Sequence, residues 1–222
     1  MSSRTLYRLS GGTLILGSLL ILISSVLSAI LYPGHHETPQ QLVSSTWSLV
    51  ILMDLIGSLL LVIGLPGMYL RQAGRAGVLG LIGFMLFFFG ILLQGVTFST
   101  AQVVILPFLA QKAPQLMGAG SGPRGVFLLL IISGFMQMIG AILLGIATMR
   151  ARVFPRLAGV FLLVSGVAFL LTIGTFLDDI LELVSFIALA AAFVWCGSRL
   201  LAQEHEAAEA VAPSAAEAGV SR

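Results

Sequence analysis

One acidic residue, Asp54, lies inside a long apolar stretch of this chain. It is the only charged residue between Glu37 and Arg71, about nine positions after the predicted start of a helix. An ionised acid at the centre of a membrane helix costs roughly 2.5–3.5 kcal/mol on insertion scales, so such residues usually face the protein interior and pair with polar groups. Asp54 therefore indicates either a proton- or ligand-binding site or a structural hydrogen bond, and both interpretations stay open.

Glutamine side chains provide candidate partners for this acid. Gln137 lies at a similar depth in a later apolar stretch, so a neutral Asp54 can donate a hydrogen bond to it across a helix bundle. Gln94 and Gln102 lie in the third apolar stretch. No general acid–base pair lies within any one stretch, so no catalytic residue is predicted. These four residues are the candidates for a ligand- or proton-binding site.

A second group of reactive residues lies near the predicted connections. Asp178 and Glu182 are four positions apart, which places them on one face of a helix. With His35 and His36 they are weak candidates for a divalent metal site. The simpler interpretation is that Asp178 or its neighbour caps a helix, where the helix dipole favours negative charge. We therefore predict no metal site.

Several classes of chemistry are disfavoured. No His or Lys lies within an apolar stretch, which argues against haem bound inside the bundle and against a retinal Schiff base, so no cofactor is predicted. The single cysteine, Cys196, makes neither an intrachain disulfide nor a zinc cage and is expected to pack as a small apolar residue. The 11 Lys and Arg residues form no basic stripe, so no nucleic-acid partner is expected.

The composition predicts that the solvent around these residues is lipid. Hydrophobic residues make up 58% of the chain, charged residues make up 9%, and the mean hydropathy is +1.08. Soluble domains carry roughly 25% charged residues. Within a bilayer, backbone polar groups must pair inside helices or closed barrels. The apolar runs here are continuous and do not alternate with polar residues, so helices are predicted.

Charged residues divide the chain into six apolar stretches that provide the roughly 20 residues a crossing helix needs, and the third, residues 76–111, is too long for one straight crossing. The predicted fold is an all-α membrane protein, a six-transmembrane-helix bundle over residues 1–202. Its predicted spans are 10–32, 45–70, 77–100, 125–149, 157–177 and 180–201. Residues 101–124 are predicted as an outer helix extension followed by a Gly-rich loop, and residues 203–222 as a disordered cytoplasmic tail.

The basic residues predict the orientation. One side of the predicted topology holds eight and the other holds two, and basic residues collect on the cytoplasmic side. Both termini are therefore predicted to be cytoplasmic, with the protein in the plasma membrane. The eight are Arg4, Arg8, Arg71, Arg75, Arg150, Arg152, Arg156 and Arg199, and the two are Lys112 and Arg124.

An internal repeat is also predicted. The nine-residue blocks 56–64 and 139–147 agree at five positions, and three predicted helices open with an arginine followed closely by a glycine. In this alignment Asp54 corresponds to Gln137. The bundle is therefore predicted to consist of three repeated helical hairpins in parallel arrangement.

Several helix-end motifs resemble those of a group of bacterial six-span membrane proteins of about this length, classified as a family with a domain of unknown function. The motifs are the arginine–glycine helix openings, Gly-Met-Tyr-Leu-Arg-Gln at 67–72, Val-Ile-Leu-Pro-Phe-Leu-Ala at 104–110, and Leu-Gly-Ile-Ala-Thr-Met-Arg-Ala at 144–151. The resemblance covers about residues 5–200. It implies a bacterial inner-membrane protein and supplies no catalytic residues.

Three functions are compatible with these residues. The favoured one is a binding or accessory bundle for a lipid, an apolar ligand or a membrane-protein partner, including another copy of this chain. The first alternative is a small proton-coupled transporter or channel that uses Asp54. The second alternative is an intramembrane enzyme with a site at the outer rim, where Gln102, Asp178, Glu182 and the two histidines could converge.

Overall fold

The computed structural model describes the backbone of residues 3–33, 38–114, 124–172 and 178–220. Side chains are described for residues 5–33, 38–114, 128–172 and 180–202. Every regular element in these ranges is a helix. In chain order they are α1 (Ser3–Leu31), α2 (Pro39–Leu42), α3 (Ser45–Ile91), a π-helix (Leu92–Phe98), α4 (Ser99–Lys112), α5 (Arg124–Ala151), α6 (Arg156–Thr172) and α7 (Asp178–Val220).

Local side-chain hydrogen bonds fix the entry into α3. Thr38 and Gln41 form a capping box around the single turn of α2, each side chain accepting from the other residue's backbone N–H. The Ser44 hydroxyl then accepts from the Trp47 backbone N–H at 3.1 Å and caps α3. These caps satisfy donors that a helix start leaves unpaired.

The chain reverses direction at Gly77, inside α3. Its φ of 62° and ψ of −165° lie outside the helical region, in backbone space that is essentially restricted to glycine. On either side of this turn, the rings of Tyr69 and Phe84 stack with centroids 4.5 Å apart. Further away, the indole N–H of Trp47 donates to the carbonyl of Gln102 at 3.3 Å. Residues 45–76 (the first arm) and 78–112 (the second arm) are therefore antiparallel.

The arms and the other long helices form a closed ring. Going round it, α1 packs on the first arm, the second arm on α5, α5 on α6, α6 on α7, and α7 back on α1. Glycine permits close approach at several of these contacts, as two examples show. A Cβ at Gly17 would lie 2.7 Å from the carbonyl oxygen of Gly57, and one at Gly11 would lie 2.8 Å from that of Gly197. Small residues let membrane helices approach in this way.

The exposed surface of the described helices is more apolar than that of a soluble protein, and several polar side chains are buried. Large apolar residues point outward on every long helix, among them Leu16 at 59%, Ile63 at 51% and Val78 at 73% exposure. Serines such as Ser58 and Ser165 are buried. A soluble monomer rarely exposes so much contiguous apolar surface. The pattern suits a protein whose outer surface is covered by lipid.

Four helical stretches are long and apolar enough to cross a membrane: Thr5–Leu31, Ser45–Lys112, Leu128–Ala151 and Ile180–Ala202. Helix α6, with 17 residues, is apolar but shorter. The all-helical fold and these apolar helices agree with the predicted membrane protein. The stretch Ser45–Lys112 contains both arms of the hairpin, which are joined by the non-helical turn at Gly77.

Two segments differ from their predicted form. The helix after Gly77 changes to a π-helix at Leu92 and then continues as α4 through Pro107 to Lys112, where the sequence predicted a simple outer extension. Helical backbone in α7 reaches Val220, across the tail predicted as disordered. Alanine and glutamate, which dominate this tail, have high intrinsic helix propensity and form helix without needing an apolar face.

Candidate functional site

A cavity of about 560 Å³ lies inside the ring of helices. Its wall includes residues from α1, both arms of the hairpin, α5, α6 and α7. All of the lining residues in the first arm lie between Trp47 and Ser58, far from the turn at Gly77. The cavity therefore occupies the end of the bundle opposite that turn.

Asp54 faces this cavity from the first arm. The hydroxyl of Ser99 in the second arm donates a hydrogen bond of 2.6 Å to Oδ2 of Asp54. Ser99 is buried, whereas Asp54 is half-buried because part of its side chain borders the open space. The acid is thus held in place by the opposite arm and still has a surface that a ligand can reach.

The π-helix forms one wall of the cavity. Gln94, Gly95 and Phe98 all line it, and the hydroxyl of Thr97 donates to the carbonyl of Leu92 five residues back at 3.1 Å. A π-helix adds a residue to the turn and so changes which side chains face inward, and such segments are frequent at functional sites. The amide oxygen of Gln94 accepts from the hydroxyl of Ser133 in α5 at 2.7 Å, which orients its side chain.

A second carboxyl group, Glu182 of α7, lines the same cavity. It is half-buried. Among the described residues that line the cavity there is no Lys, Arg or His. The titratable groups of the described lining are therefore acidic, since two carboxyl groups face the space from different helices.

Hydroxyl groups of α1 and an aromatic pair complete the wall. Ser24, Ser25 and Ser28 line the cavity, and Ser24 also donates to the carbonyl of Val50 at 2.8 Å. The rings of Tyr32 and Trp47 pack edge to face with centroids 5.1 Å apart and both border the space. The α1 serines could not be recognised as lining residues from the sequence, because the spacing of single serines in an apolar helix does not indicate a binding site.

The four candidates from the sequence lie around this one cavity. Asp54, Gln94, Gln102 and Gln137 all line it, although they come from both arms of the hairpin and from α5. The expected hydrogen bond between Asp54 and Gln137 is not formed in the structure, where the partner of Asp54 is Ser99. Gln137 packs instead where Gly90 leaves room, so that a Cβ at position 90 would lie 2.5 Å from the Gln137 backbone nitrogen.

The weak metal candidates do not form a described cluster. His35 and His36 lie outside the described residues, and α7 begins at Asp178, whose side chain is not described. In the ranges with described side chains, no group of three or more His, Cys, Asp or Glu residues could hold a metal ion. Of these candidates, only Glu182 is placed, and it faces the cavity with Asp54.

Cys196 lies in the buried apolar core, among residues such as Phe193 and Leu200. It does not line the cavity. Its environment is that of a small apolar residue, as the sequence predicted.

No protein-family model, curated protein or solved structure matches this chain. The resemblance to a bacterial six-span family therefore stays a prediction. The chemistry of the site has to be argued from its own residues.

Proposed function

We propose that this chain is a plasma-membrane protein that binds an amphiphilic small molecule inside its helix bundle. The observation that carries the proposal is the cavity of about 560 Å³, which is lined by residues from all of the long helices. Sites for drug-sized ligands and cofactors typically have volumes of roughly 300–1,000 Å³. A bundle that served only as a structural anchor would have no need of such a space.

The chemistry of the wall supports an amphiphile as the ligand. Hydroxyl, amide and carboxyl groups line the cavity together with aromatic and aliphatic side chains such as Phe169, Phe186 and Leu189. A few polar groups on a mainly apolar surface fix the orientation of a ligand whose body is apolar. A lipid or another membrane-soluble molecule with one polar group fits this description.

The hairpin at Gly77 supports six membrane crossings. The first arm has 32 residues and the second has 35, so at 1.5 Å per residue they are about 48 and 52 Å long, against a hydrocarbon core of roughly 30 Å. With α1, α5, α6 and α7, this gives six spans. The basic residues beside the Gly77 turn, Arg71 and Arg75, favour the cytoplasmic side for it, which places the cavity in the outer half of the membrane.

The packing also supports the proposed repeat of hairpins. Gly57 packs against Gly17 of α1, and its counterpart Gly140 packs against the backbone of Phe87 in the second arm. Asp54 and Gln137, which correspond in the repeat, both line the cavity. Two of the three proposed repeat units are α1 with the first arm and the second arm with α5. In both units the corresponding glycine packs against the other helix of the unit.

Purification followed by extraction and mass spectrometry tests the binding function without assuming the ligand. The wild-type protein should retain a molecule in a fixed ratio to protein. Ser28→Trp, which fills the cavity from α1, should lose it. Ile30→Trp is the matched control, because Ile30 is 69% exposed on the same helix and does not line the cavity.

Equal retention by the wild type and by folded Ser28→Trp protein would contradict the proposal. So would the presence of bulk lipid alone in both samples. A melting temperature close to that of the wild type identifies the variants that are folded.

A second candidate function is proton-coupled transport through the same cavity. The observation that favours it is the hydrogen bond from Ser99 to Asp54, because Ser99 directly follows the π-helix. A change between π and α geometry in this segment would alter which residues face the acid. Reconstituted vesicles with a pH gradient test it. Transport of a bound molecule should depend on the gradient and be lost in Asp54→Asn, whereas binding without transport would exclude this role.

A further inference from the structure

The charge of the cavity constrains the ligand more narrowly than its size does. Asp54 and Glu182 both border the space, and the described lining residues include no basic side chain. Carboxylates in a poorly hydrated site repel each other more strongly than in water, because the dielectric screening is weaker. A positive charge on the ligand would be attracted to both acids and would reduce this repulsion.

The aromatic side chains favour an organic cation over an inorganic one. Tyr32, Trp47 and Phe98 line the space together with the acids. The negative face of an aromatic ring attracts ammonium-type cations, most strongly for tryptophan. A hard metal ion would need about six or more oxygen ligands at short distance, and the described residues contain no cluster of three metal-binding side chains.

The lining offers both polar and apolar groups to a molecule with one charged end. The three serines of α1, and Ser99, which donates to Asp54, add hydroxyl oxygen atoms to the lining that contains the two carboxyl groups. Phe169, Phe186 and Leu189 provide an apolar region for the rest of the molecule. Oxygen atoms and aromatic faces together solvate a cation without requiring water.

Resting on the proposed binding function, we infer that the ligand is an amphiphilic organic cation, an amine or a quaternary onium compound, bound between Asp54, Glu182 and the aromatic wall. Asp54 is the fixed anchor, because Ser99 holds its carboxylate. Glu182 supplies the second negative charge from α7. Neutral molecules of the same size are bound more weakly.

Trp47 provides the readout for a test. The chain has two tryptophans, and Trp195→Phe leaves Trp47, which lines the cavity, as the only one. The probes are tetraphenylphosphonium and triphenylphosphine oxide, which are similar in size but differ in charge. Binding of each probe to the full chain in a non-ionic detergent is followed by the change in Trp47 fluorescence.

The expected result is that tetraphenylphosphonium binds about tenfold or more tightly than the neutral oxide, which is a difference of about 1.4 kcal/mol. The double variant Asp54→Asn with Glu182→Gln keeps the shape of both side chains and removes both charges. It should lose this preference, so that the affinities of the two probes differ by much less than tenfold. Asp54→Glu, which keeps the charge, should retain the preference.

Equal affinity of both probes for the wild type would overturn the inference and leave the proposed binding function standing. Binding of neither probe would also overturn it, and the mass-spectrometric experiment would then decide separately whether the cavity holds another ligand. A preference for the cation that survives in the double variant would show that the acids do not cause it. If the double variant does not fold, each single variant is measured against Asp54→Glu.

Discussion

The hydroxyl of Ser99 donates a 2.6 Å hydrogen bond to Asp54 across the two arms of one helical hairpin. This contact belongs both to the packing of the hairpin and to the wall of the cavity. The position of Asp54 in the sequence allows two interpretations, a structural hydrogen bond and a binding site. The geometry is compatible with both at once. The acid forms the hydrogen bond with one oxygen and borders the open space as well.

Removing the hydroxyl in Ser99→Ala should lower the free energy of unfolding by about 1.5–3 kcal/mol, the range for a hydrogen bond to a charged group. The same variant should weaken tetraphenylphosphonium binding, because Asp54 loses its orientation. Thr100→Ala is the control, since the exposed Thr100 hydroxyl donates to the carbonyl of Val96, four residues earlier in the same arm. Thermal unfolding in detergent checks the prediction, and equal melting temperatures for the two variants would count against it.

The contact between α1 and the first arm depends on Gly17. Gly17→Ala would place a Cβ 2.7 Å from the carbonyl oxygen of Gly57 and would force the helices apart. We expect a loss of about 1–3 kcal/mol, as for other overpacked sites. Gly12→Ala, on the same helix with no atom within 4 Å of the added Cβ, should be neutral or slightly stabilising. Melting temperatures that fall equally in both variants would show that close approach at Gly17 is not the cause.

The reversal of α3 depends on the backbone of Gly77. Gly77→Ala should destabilise the protein by about 1–3 kcal/mol, because φ of 62° with ψ of −165° is strained for any residue with a Cβ. Gly74→Ala lies three residues earlier, also in open space, and is not at positive φ. It should leave stability nearly unchanged. Chemical unfolding of the two variants provides the comparison, and a tolerant Gly77 would argue against a tight hairpin there.

The proposed six-span topology predicts a pattern of labelling from outside in sealed vesicles of known orientation. In a Cys196→Ala background, Thr38→Cys and Lys112→Cys should react with a membrane-impermeant thiol reagent. Gly74→Cys and Arg152→Cys should react only after the membrane is permeabilised. All four positions are exposed, so accessibility alone does not distinguish them. Labelling of Gly74→Cys from the same side as Thr38→Cys would exclude the proposed crossing of the first arm.

Much of the architecture was predictable from hydropathy, because continuous apolar runs between charged residues leave few alternatives to membrane helices. The all-helical fold agrees with that prediction. The π-helix at Leu92 was not predictable, although it lies where Gln94 accepts from Ser133 of α5 and Gly95 packs beside Ser58 of the first arm. No local sequence pattern specifies a wider helical turn.

The candidate site was partly predictable. Asp54 and three glutamines stood out because polar groups are costly in a membrane helix, and all four line the cavity. The sequence places Glu182 only at the outer rim, as a weak metal candidate, because its position along α7 says nothing about which neighbour it faces. The Ser99 partner of Asp54 was missed for the same reason, since a hydrogen bond between residues 45 positions apart depends on the turn at Gly77.

The most direct test of the acidic binding cavity is the thiol reactivity of Ser25→Cys in the Cys196→Ala background. Ser25 lines the cavity, whereas Ser18 of the same helix is buried elsewhere and provides the control as Ser18→Cys. We predict that Ser25→Cys reacts faster with a cationic than with an anionic methanethiosulfonate reagent, that tetraphenylphosphonium slows the reaction, and that Ser18→Cys does not react. A Ser25→Cys that is unreactive, or that reacts equally with both reagents and is not protected, would contradict the account.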